Sequence, residues 1–274
     1  MYEVVKTWET VLALLARKRN EGCLRYANFF PDERRMTRWI EQGEFFVQEE
    51  AEGALLLRRQ KTFDLIWFLA PSEAAMVRLL TLLPRERTSV IEMVGRRSFC
   101  DELANLAAPF GWKRSRTLVR MSRLTPVEQY VCNESVKPAR LDEAVAIQTL
   151  LERYFDPKKE QLPSLYEITE WILAEHLLVV HTATGAVGAF VIFDLLQSVL
   201  YLRYWFVLPE ARGQGVGALL LRAFFARGAQ TKRQILWVFE DNATAISPYL
   251  HYGFKEEDRI DHVLINPMGG GSLV

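Results

Sequence analysis

The sequence has no surplus of charge of either sign: 34 lysine and arginine residues balance 34 aspartate and glutamate residues among 274. Proteins that bind nucleic acid or anionic membranes through general electrostatics need a basic surplus or a basic stripe. Here the basic residues are dispersed along the chain, so we expect no nucleic-acid partner. Half of the residues are hydrophobic and a quarter are charged, which is ordinary for a globular protein with a substantial core.

Cysteine and histidine are also scarce. Cys23, Cys100 and Cys132 are an odd number at wide spacing, without a C-x-x-C pair. This pattern argues against a disulfide framework or a zinc site and fits a reducing cytoplasm. The four histidines show no ligand spacing, so we expect no metal; they are His176, His181, His251 and His262.

Long apolar runs and a leader pattern are missing as well. The N-terminus carries acidic residues early and lacks a charged-then-apolar signal pattern. The most apolar stretch, 177–196, contains His181, a Thr-Ala-Thr-Gly turn and Asp194, so it predicts a hairpin of two strands. We expect a cytoplasmic protein that has no membrane partner.

What is present is an alternation of helical and strand-like patterns. In the second half of the sequence, two helices precede three strands, and Ser164 is the expected N-cap of the second helix. The predicted elements there are helices over 141–155 and 164–176, strands over 177–183, 186–194 and 198–207, a helix over 217–227, a strand over 234–240, a helix over 243–252 and a strand over 261–266.

The first half has the same order of patterns, with short sequence echoes of the second. "WFLAP" at 67–71 corresponds to "WFVLP" at 205–209, and "PFGW" at 109–112 corresponds to "HYGF" at 251–254. Two echoes in order with matched spacing favour an internal duplication. We therefore predict a domain over 1–125, a linker over 126–135 and a second domain over 136–274.

The most informative stretch is "ARGQGVG", which follows the strand over 198–207 and opens the next helix. Such a loop exposes backbone N–H groups at the positive end of a helix dipole. Glycines let an anion approach these groups because no Cβ stands in the way. The sequence therefore predicts a phosphate or pyrophosphate site, to which Arg212 adds a positive charge.

Two known phosphate motifs compete for this loop. The nucleotide P-loop fails, because no Lys-Ser or Lys-Thr follows the glycines. The dinucleotide fingerprint is formally met by Gly213, Gly215 and Ala218, with Glu240 near the expected ribose-binding position. Against it, Pro209 and the next three residues separate the strand from the glycines, and few residues follow Glu240.

The stretch from Arg212 to Gly217 resembles the R/Q-x-x-G-x-G/A signature of the GCN5-related N-acetyltransferases (GNAT). The stretch from Asn242 to Phe254, with Tyr249 inside it, resembles that family's second landmark. The resemblance implies an α/β fold of two tandem GNAT-like domains, each a mixed, mostly antiparallel sheet with one splayed pair of strands. The first copy has neither glycine nor arginine where its loop should lie, so its site is degenerate.

The resemblance also implies roles for individual residues, with acetyl-CoA as the cosubstrate and a small-molecule amine as the acceptor. Tyr249 would protonate the departing thiolate, and Asn242 would cap a helix and contact the pantetheine. The remaining residues would bind the pantetheine arm and the pyrophosphate; they are Phe206, Val207, Arg212, Gly213, Gln214, Gly215, Val216 and Gly217.

One departure from the family pattern leaves the general base unassigned. Many members carry a glutamate on the strand before the glycine loop, whereas this strand reads "VLYLRYWFV". Asp194 or Glu240 is a possible substitute, while Arg203 and Tyr204 indicate a polar acceptor pocket. The loop from Tyr154 to Ser164 is the expected lid. The missing carboxylate keeps a second hypothesis open, a non-catalytic CoA-binding module, beside the dinucleotide oxidoreductase.

Overall fold

The computed structural model of the protein describes residues 2–83, 86–126, 130 and 132–267. Contacts divide the chain into two compact units: Met1–Leu118 with Asp258–Val274, and Val119–Glu257. Part of the predicted linker, residues 127–129 and 131, lies outside the described residues. The division into domains over 1–125 and 136–274 stays a prediction.

The described residues form eight α-helices and thirteen strands. In chain order they are β1 (Glu3–Val4), α1 (Trp8–Asn20), β2 (Tyr26–Ala27), α2 (Glu33–Glu41), β3 (Phe45–Glu50), β4 (Gly53–Arg59), β5 (Phe63–Ala70), α3 (Glu73–Thr81), β6 (Thr88–Gly95), α4 (Arg97–Ala107), β7 (Lys113–Leu124), β8 (Val136–Pro138), α5 (Ala144–Tyr154), α6 (Leu165–Leu173), β9 (Leu177–His181), β10 (Val187–Leu196), β11 (Val199–Val207), α7 (Val216–Arg227), β12 (Arg233–Phe239), α8 (Ala243–His251) and β13 (Lys255–Asn266).

The first unit is built on a mixed sheet in the order β1-β3-β4-β5-β6-β13. All neighbours are antiparallel except β5 and β6, which run parallel. Every residue of β5 is buried, including Asp64, as expected for a central strand of the sheet. Thr7, Asp32 and Ser72 cap α1, α2 and α3 with their side-chain oxygens, which satisfies backbone N–H groups that a helix leaves unpaired.

The second unit repeats this plan with the strand order β12-β11-β10-β9-β8. Only β11 and β12 run parallel. On one face of this sheet, α5 and α6 bury Ile147, Leu151 and Ile168 against Phe190 and Ile192 of β10. On the other face α7 covers β10. The rings of Phe193 and Phe224 meet there edge-on, 5.5 Å apart between centroids.

The predicted mixed α/β class is confirmed, and the longer elements lie where the sequence pattern put them. The hairpin expected over 177–196 is the antiparallel pair β9 and β10. Ser164 caps α6 in a capping box with Glu167, and Gly228 follows the last residue of α7. The sequence pattern missed the three shortest strands, β1, β2 and β8.

Candidate active site

The parallel strands β11 and β12 separate halfway along their length. They pair from Val199–Leu202 to Arg233–Leu236, and no further pair joins them, although β11 continues to Val207. The separation begins at a β-bulge, because Leu202 and Tyr204 face consecutive residues of β10 and Arg203 is the extra residue. A bulge bends its strand and increases the twist. β11 and β12 are thus a splayed pair, as the resemblance implies. The gap between them, called the wedge below, is lined on the β11 side by the backbone from Arg203 to Val207.

The glycine loop lies at the end of this wall and leads into α7. Gly213 and Gly215 have φ of 76° and 79°, a left-handed conformation that favours glycine. A Cβ at either position would meet no atom within 4 Å, so both face open space. Gly215 is the N-cap of α7, and no side chain bonds to the first amides of the helix. This geometry fits the predicted anion site, because the helix offers unpaired N–H donors at its positive end.

The third glycine of the motif has a packing role instead. A Cβ on Gly217 would lie 2.7 Å from Cζ2 of Trp205 and 3.5 Å from Cγ2 of Val207. Real Cβ atoms do not approach that closely, so Gly217 lets the first turn of α7 lie directly on β11. Val216 precedes it as the first helical residue. The motif therefore combines two glycines that face open space with one that brings the helix against the wedge.

The polar side chains of the loop brace its backbone. The Nε of the exposed Arg212 donates to the carbonyl oxygen of Val207 at 3.1 Å, and Gln214 Nε2 donates to the carbonyl of Glu210 at 2.9 Å. Phe206 faces away from α7. Its ring is buried in the core under α5, with the Tyr154 ring centroid 4.8 Å away. The Phe206 side chain is thus unavailable to the cosubstrate and its backbone faces Phe190 of β10, so of these two residues only Val207 presents its backbone to the wedge.

Tyr249 is buried in α8 on the same face of the sheet as α7. Its ring centroid lies 5.5 Å from that of Trp205 and 5.9 Å from that of Phe254. Burial raises the pKa of Tyr249 above its ordinary value of about 10. The phenol therefore stays protonated near neutral pH, in the form that donates a proton. Its hydroxyl makes no hydrogen bond to another residue that the structure describes.

Asn242 is exposed at the start of α8 and caps it. The side-chain Oδ1 accepts from the N–H of Ala245 at 3.1 Å. Its Oδ1 therefore bonds the helix, and its amide nitrogen stays available to donate to a ligand. Pro248 lies inside α8, directly before Tyr249.

The loop between α5 and α6, residues 155–163, is folded onto β11 on the face opposite α7. The hydroxyl of Tyr204 donates to the carbonyl of Gln161 at 2.5 Å, and the Phe155 ring lies edge-on to Tyr204 at 5.7 Å. Glu160 is half-buried in this loop, and burial raises its pKa to about 7. The expected lid is thus anchored beside the bulge.

The two acidic residues considered as substitutes for the missing strand glutamate have different surroundings. Asp194 is held by two donors: Arg203 Nε at 2.5 Å from Oδ2 and Trp171 Nε1 at 2.7 Å from Oδ1. Glu240 follows the last residue of β12. Arg203 is also stacked over the Tyr201 ring at 4.0 Å. The Arg203–Asp194 ion pair therefore forms a neutral, rigid edge of the bulge.

The corresponding wedge of the first unit is filled by its own chain. There β5 and β6 pair only from Phe63–Ile66 to Thr88–Ile91. One edge of β5 is occupied by β4 as far as Leu69, so β2, which pairs with Leu69 and Ala70, lies on the edge that faces β6.

The buried side chain of Asn28 completes this filling. Its Nδ2 donates to the carbonyls of Ile66 at 3.2 Å and Glu92 at 3.0 Å. Its Oδ1 accepts from the N–H of Phe68 at 2.7 Å. Asn28 thus bridges the two separating strands. Sequence reasoning missed this residue, since one asparagine in a loop carries no periodic signal.

Other classes of site find little support. No group of three or more histidine, cysteine, aspartate or glutamate residues in the described part of the chain is arranged to hold a metal ion. Within the described ranges, no helix is long and apolar enough to span a membrane. The dinucleotide interpretation needs an open, mostly parallel sheet, whereas β11 has one parallel neighbour and one antiparallel neighbour.

Comparison with known proteins agrees with the geometry. Residues 144–254 match the model of the acetyltransferase (GNAT) family. A comparison with curated proteins found no match. A GCN5-related N-acetyltransferase from Sphaerobacter thermophilus is 15% identical, with a TM-score of 0.56, over 100% of this chain and 97% of that chain.

Two further solved structures share the fold at similar identity. A tandem GNAT protein from the clavulanic acid biosynthesis pathway, solved without AcCoA, is 15% identical with a TM-score of 0.61, over 99% of this chain and 100% of that chain. An acetyltransferase of the GNAT family from Colwellia psychrerythraea is 14% identical with a TM-score of 0.53, over 97% and 98% of the two chains. The chain therefore has the tandem GNAT fold, and residues 144–254 are a domain of the GNAT acetyltransferase family.

Proposed function

We propose that the protein is an N-acyltransferase that moves the acetyl group of acetyl-CoA to a primary amine of a small molecule. The observation that carries this proposal is the open wedge between β11 and β12 beside the uncapped first turn of α7. The wedge offers unpaired strand backbone to an extended arm, and the helix offers amides to a phosphate. The cytoplasmic location expected from the sequence belongs to the same proposal.

The glycine loop and the end of β11 bind different parts of acetyl-CoA. The backbone N–H groups from Gly213 to Gly217 donate to the pyrophosphate, and Arg212 adds a positive charge. The backbone from Trp205 to Val207 pairs with the pantetheine arm. The arm thereby brings the thioester to the bulge, where a strand N–H stabilises the developing oxyanion.

The reaction itself is direct attack by the acceptor. The nitrogen of the neutral amine forms a bond to the acyl carbon, and the bond from that carbon to sulfur breaks. Tyr249 gives its proton to the departing thiolate, and the proton lost by the amide nitrogen restores the phenol. Since the nitrogen attacks the thioester directly, no covalent acyl-enzyme is required.

A thermal melt tests the binding part of the proposal. A ligand at about 100 times its dissociation constant adds roughly 2.7 kcal/mol to the folded state that binds it. We expect acetyl-CoA to raise the melting temperature and NADH to leave it unchanged, with the effect of acetyl-CoA lost in Arg212→Glu. A shift with NADH and none with acetyl-CoA would mean that the loop binds a different phosphate.

A panel of primary amines tests the chemical part by the release of free CoA. We expect at least one amine to release CoA above the hydrolysis background. The competing function, a CoA-binding module without catalysis, is favoured by the absence of a carboxylate on β11. Binding of acetyl-CoA with no CoA release from any amine would establish the binding module and refute the enzyme.

A further inference from the structure

The protein's unassigned proton acceptor has a candidate in the loop between α5 and α6. This loop is held to β11 at the point where β12 diverges, since Tyr204 donates to the Gln161 carbonyl at 2.5 Å. The Phe155 ring packs on Tyr204 and, at 6.1 Å, on Phe206. These contacts fix residues 155–161 over the bulge, beside the position that the acyl carbon takes in the proposed function.

Glu160 is held in a turn of this loop. Its N–H donates to the Asp156 carbonyl at 2.9 Å, and its Oε2 accepts from the Asp156 N–H at 3.3 Å. The carboxylate is therefore fixed in place, one residue before the carbonyl that Tyr204 contacts. In the described part of the chain, Glu160 forms no ion pair. The nearby Lys159 is paired with Asp156 at 2.5 Å.

The other acidic side chains near this face have partners that make them poor proton acceptors. Asp194 accepts from both Arg203 and Trp171. Glu143 accepts from His181 at 2.5 Å and from the Arg140 N–H at 2.7 Å. Glu167 accepts from Ser164 in the capping box of α6.

We propose that Glu160 is the general base of the proposed acyl transfer, which takes a proton from the acceptor's ammonium group directly or through one water. This inference rests on the proposed function and adds the group that β11 does not supply. The ammonium loses one proton to the Glu160 carboxylate and becomes the neutral amine. The amine then attacks the acyl carbon, and CoA leaves with the proton from Tyr249. Glu160 returns its proton to solvent.

The electrostatic surroundings suit this role. Burial raises the pKa of Glu160 to about 7, against the opposing hydrogen bond from the Asp156 N–H. A base works best when its pKa lies near the working pH. The charged groups of its own loop are Asp156, Lys158 and Lys159. Of the elements next to this loop, the hairpin of β10 and β11 carries Tyr204 and the Arg203–Asp194 pair, and α6 carries Glu167.

Two acceptors with different protonation states test whether Glu160 acts as a base or only supports the structure. An alkylamine from the panel is protonated at neutral pH and needs a base, whereas hydroxylamine carries an unprotonated nitrogen and needs none. We expect Glu160→Gln to lower kcat for the alkylamine about a hundredfold at pH 7. With hydroxylamine the change is expected to stay within roughly threefold, well below the effect of losing a general base. Glu152→Gln, at an exposed position of α5, is the matched control.

The pH profiles of the wild-type protein and of Glu160→Gln give a second test. We expect kcat/KM for the alkylamine to rise with pH through an ionisation near 7, and that step to be missing in Glu160→Gln. A wild type without CoA release from any amine refutes the proposed function itself. A wild type that is active, while Glu160→Gln keeps its rate and pH profile or loses both acceptors equally, overturns the role of Glu160 alone.

Discussion

Each unit has a wedge between its two parallel strands, which is filled in the first unit and open in the second. In the first unit, β2 and Asn28, which belong to the loop between α1 and α2, lie in the gap between β5 and β6. In the second unit, the matching loop between α5 and α6 contacts the Tyr204 side chain and leaves the backbone of the wedge open. One fold therefore yields a filled copy and an open copy, and the main difference lies in the loop between the first two helices of each unit.

Two smaller differences point the same way. The first helix turn after β5 is capped by Ser72, whose Oγ accepts from the Ala75 N–H at 3.2 Å. The equivalent turn after β11 has Gly215 as its N-cap and no side-chain cap. The β4–β5 pairing is regular, whereas the β10–β11 pairing contains the bulge at Arg203. The uncapped helix turn and the bulge of the second unit thus have no counterpart in the first unit, where a side-chain cap and a regular pairing take their place.

The largest expected effect comes from Tyr249. In Tyr249→Phe the departing thiolate loses its proton donor, so we expect kcat to fall about 10²–10³-fold with binding of acetyl-CoA unchanged. Steady-state kinetics and calorimetric titration measure the two quantities. Tyr26→Phe in the first unit removes a hydroxyl that bonds Glu73 and is the control. Equal kinetic losses in both variants would contradict the assignment of the acid.

Asn28 gives the next largest effect, on stability. Asn28→Ala leaves the carbonyls of Ile66 and Glu92 and the N–H of Phe68 without their partner in a buried place. We expect a loss of about 3 kcal/mol in the free energy of unfolding, measured by urea denaturation. The control, Asn242→Ala, removes an exposed cap and should cost about 1 kcal/mol. A cost for Asn28→Ala no larger than the control's would show that the asparagine does not hold the wedge closed.

Gly215 in the second unit and Gly43 in the first have similar backbone conformations, so alanine at the two positions separates an effect on binding from an effect on stability. Their φ values are 79° and 68°, and a Cβ on either meets nothing within 4 Å. Alanine at each should cost about 1–2 kcal/mol of stability, because the left-handed conformation penalises a Cβ. Only Gly215→Ala should weaken acetyl-CoA binding, about tenfold, since its Cβ enters the space of the pyrophosphate. Unchanged binding in Gly215→Ala would place the phosphate elsewhere.

The smallest effect is the pH dependence of stability contributed by Glu160. Its folded pKa of about 7 exceeds that of an unfolded glutamate, so the folded state binds more protons between about pH 4.5 and 7. Stability therefore falls as pH rises through this window, and the cost persists above it. We expect Glu160→Gln to melt about 2–4 °C above wild type at pH 8 and level with it at pH 4. A constant difference across the range would contradict the raised pKa.

The sequence predicted the long elements well because their signals are local. The strands β10 and β11, at Val187–Leu196 and Val199–Val207, lie close to the runs predicted over 186–194 and 198–207, and Ser164 caps its helix as expected. The strand β2 was missed because two residues cannot show an alternating pattern. Its role, and that of Asn28, depends on partners such as Glu92, 64 residues away.

The site was predicted unevenly for the same reason. The loop geometry follows from the order of its glycines. The positive φ values of Gly213 and Gly215 are compatible with the expected anion site. The sequence pattern placed Gly217 with the two glycines of the anion site. In the structure a glycine is required there because a Cβ would clash with the Trp205 ring. The raised pKa of Glu160 had no local signal, since it arises from burial within the folded loop.

Isothermal titration of the full chain with acetyl-CoA distinguishes one open wedge from two, because it measures the number of molecules bound per chain. We expect one molecule bound per chain, with the binding lost in Arg212→Glu and the stoichiometry unchanged in Asn28→Ala. Two molecules per chain, or one molecule that still binds Arg212→Glu but not Asn28→Ala, would contradict it. Either result would mean that the first unit's wedge is a binding site after all.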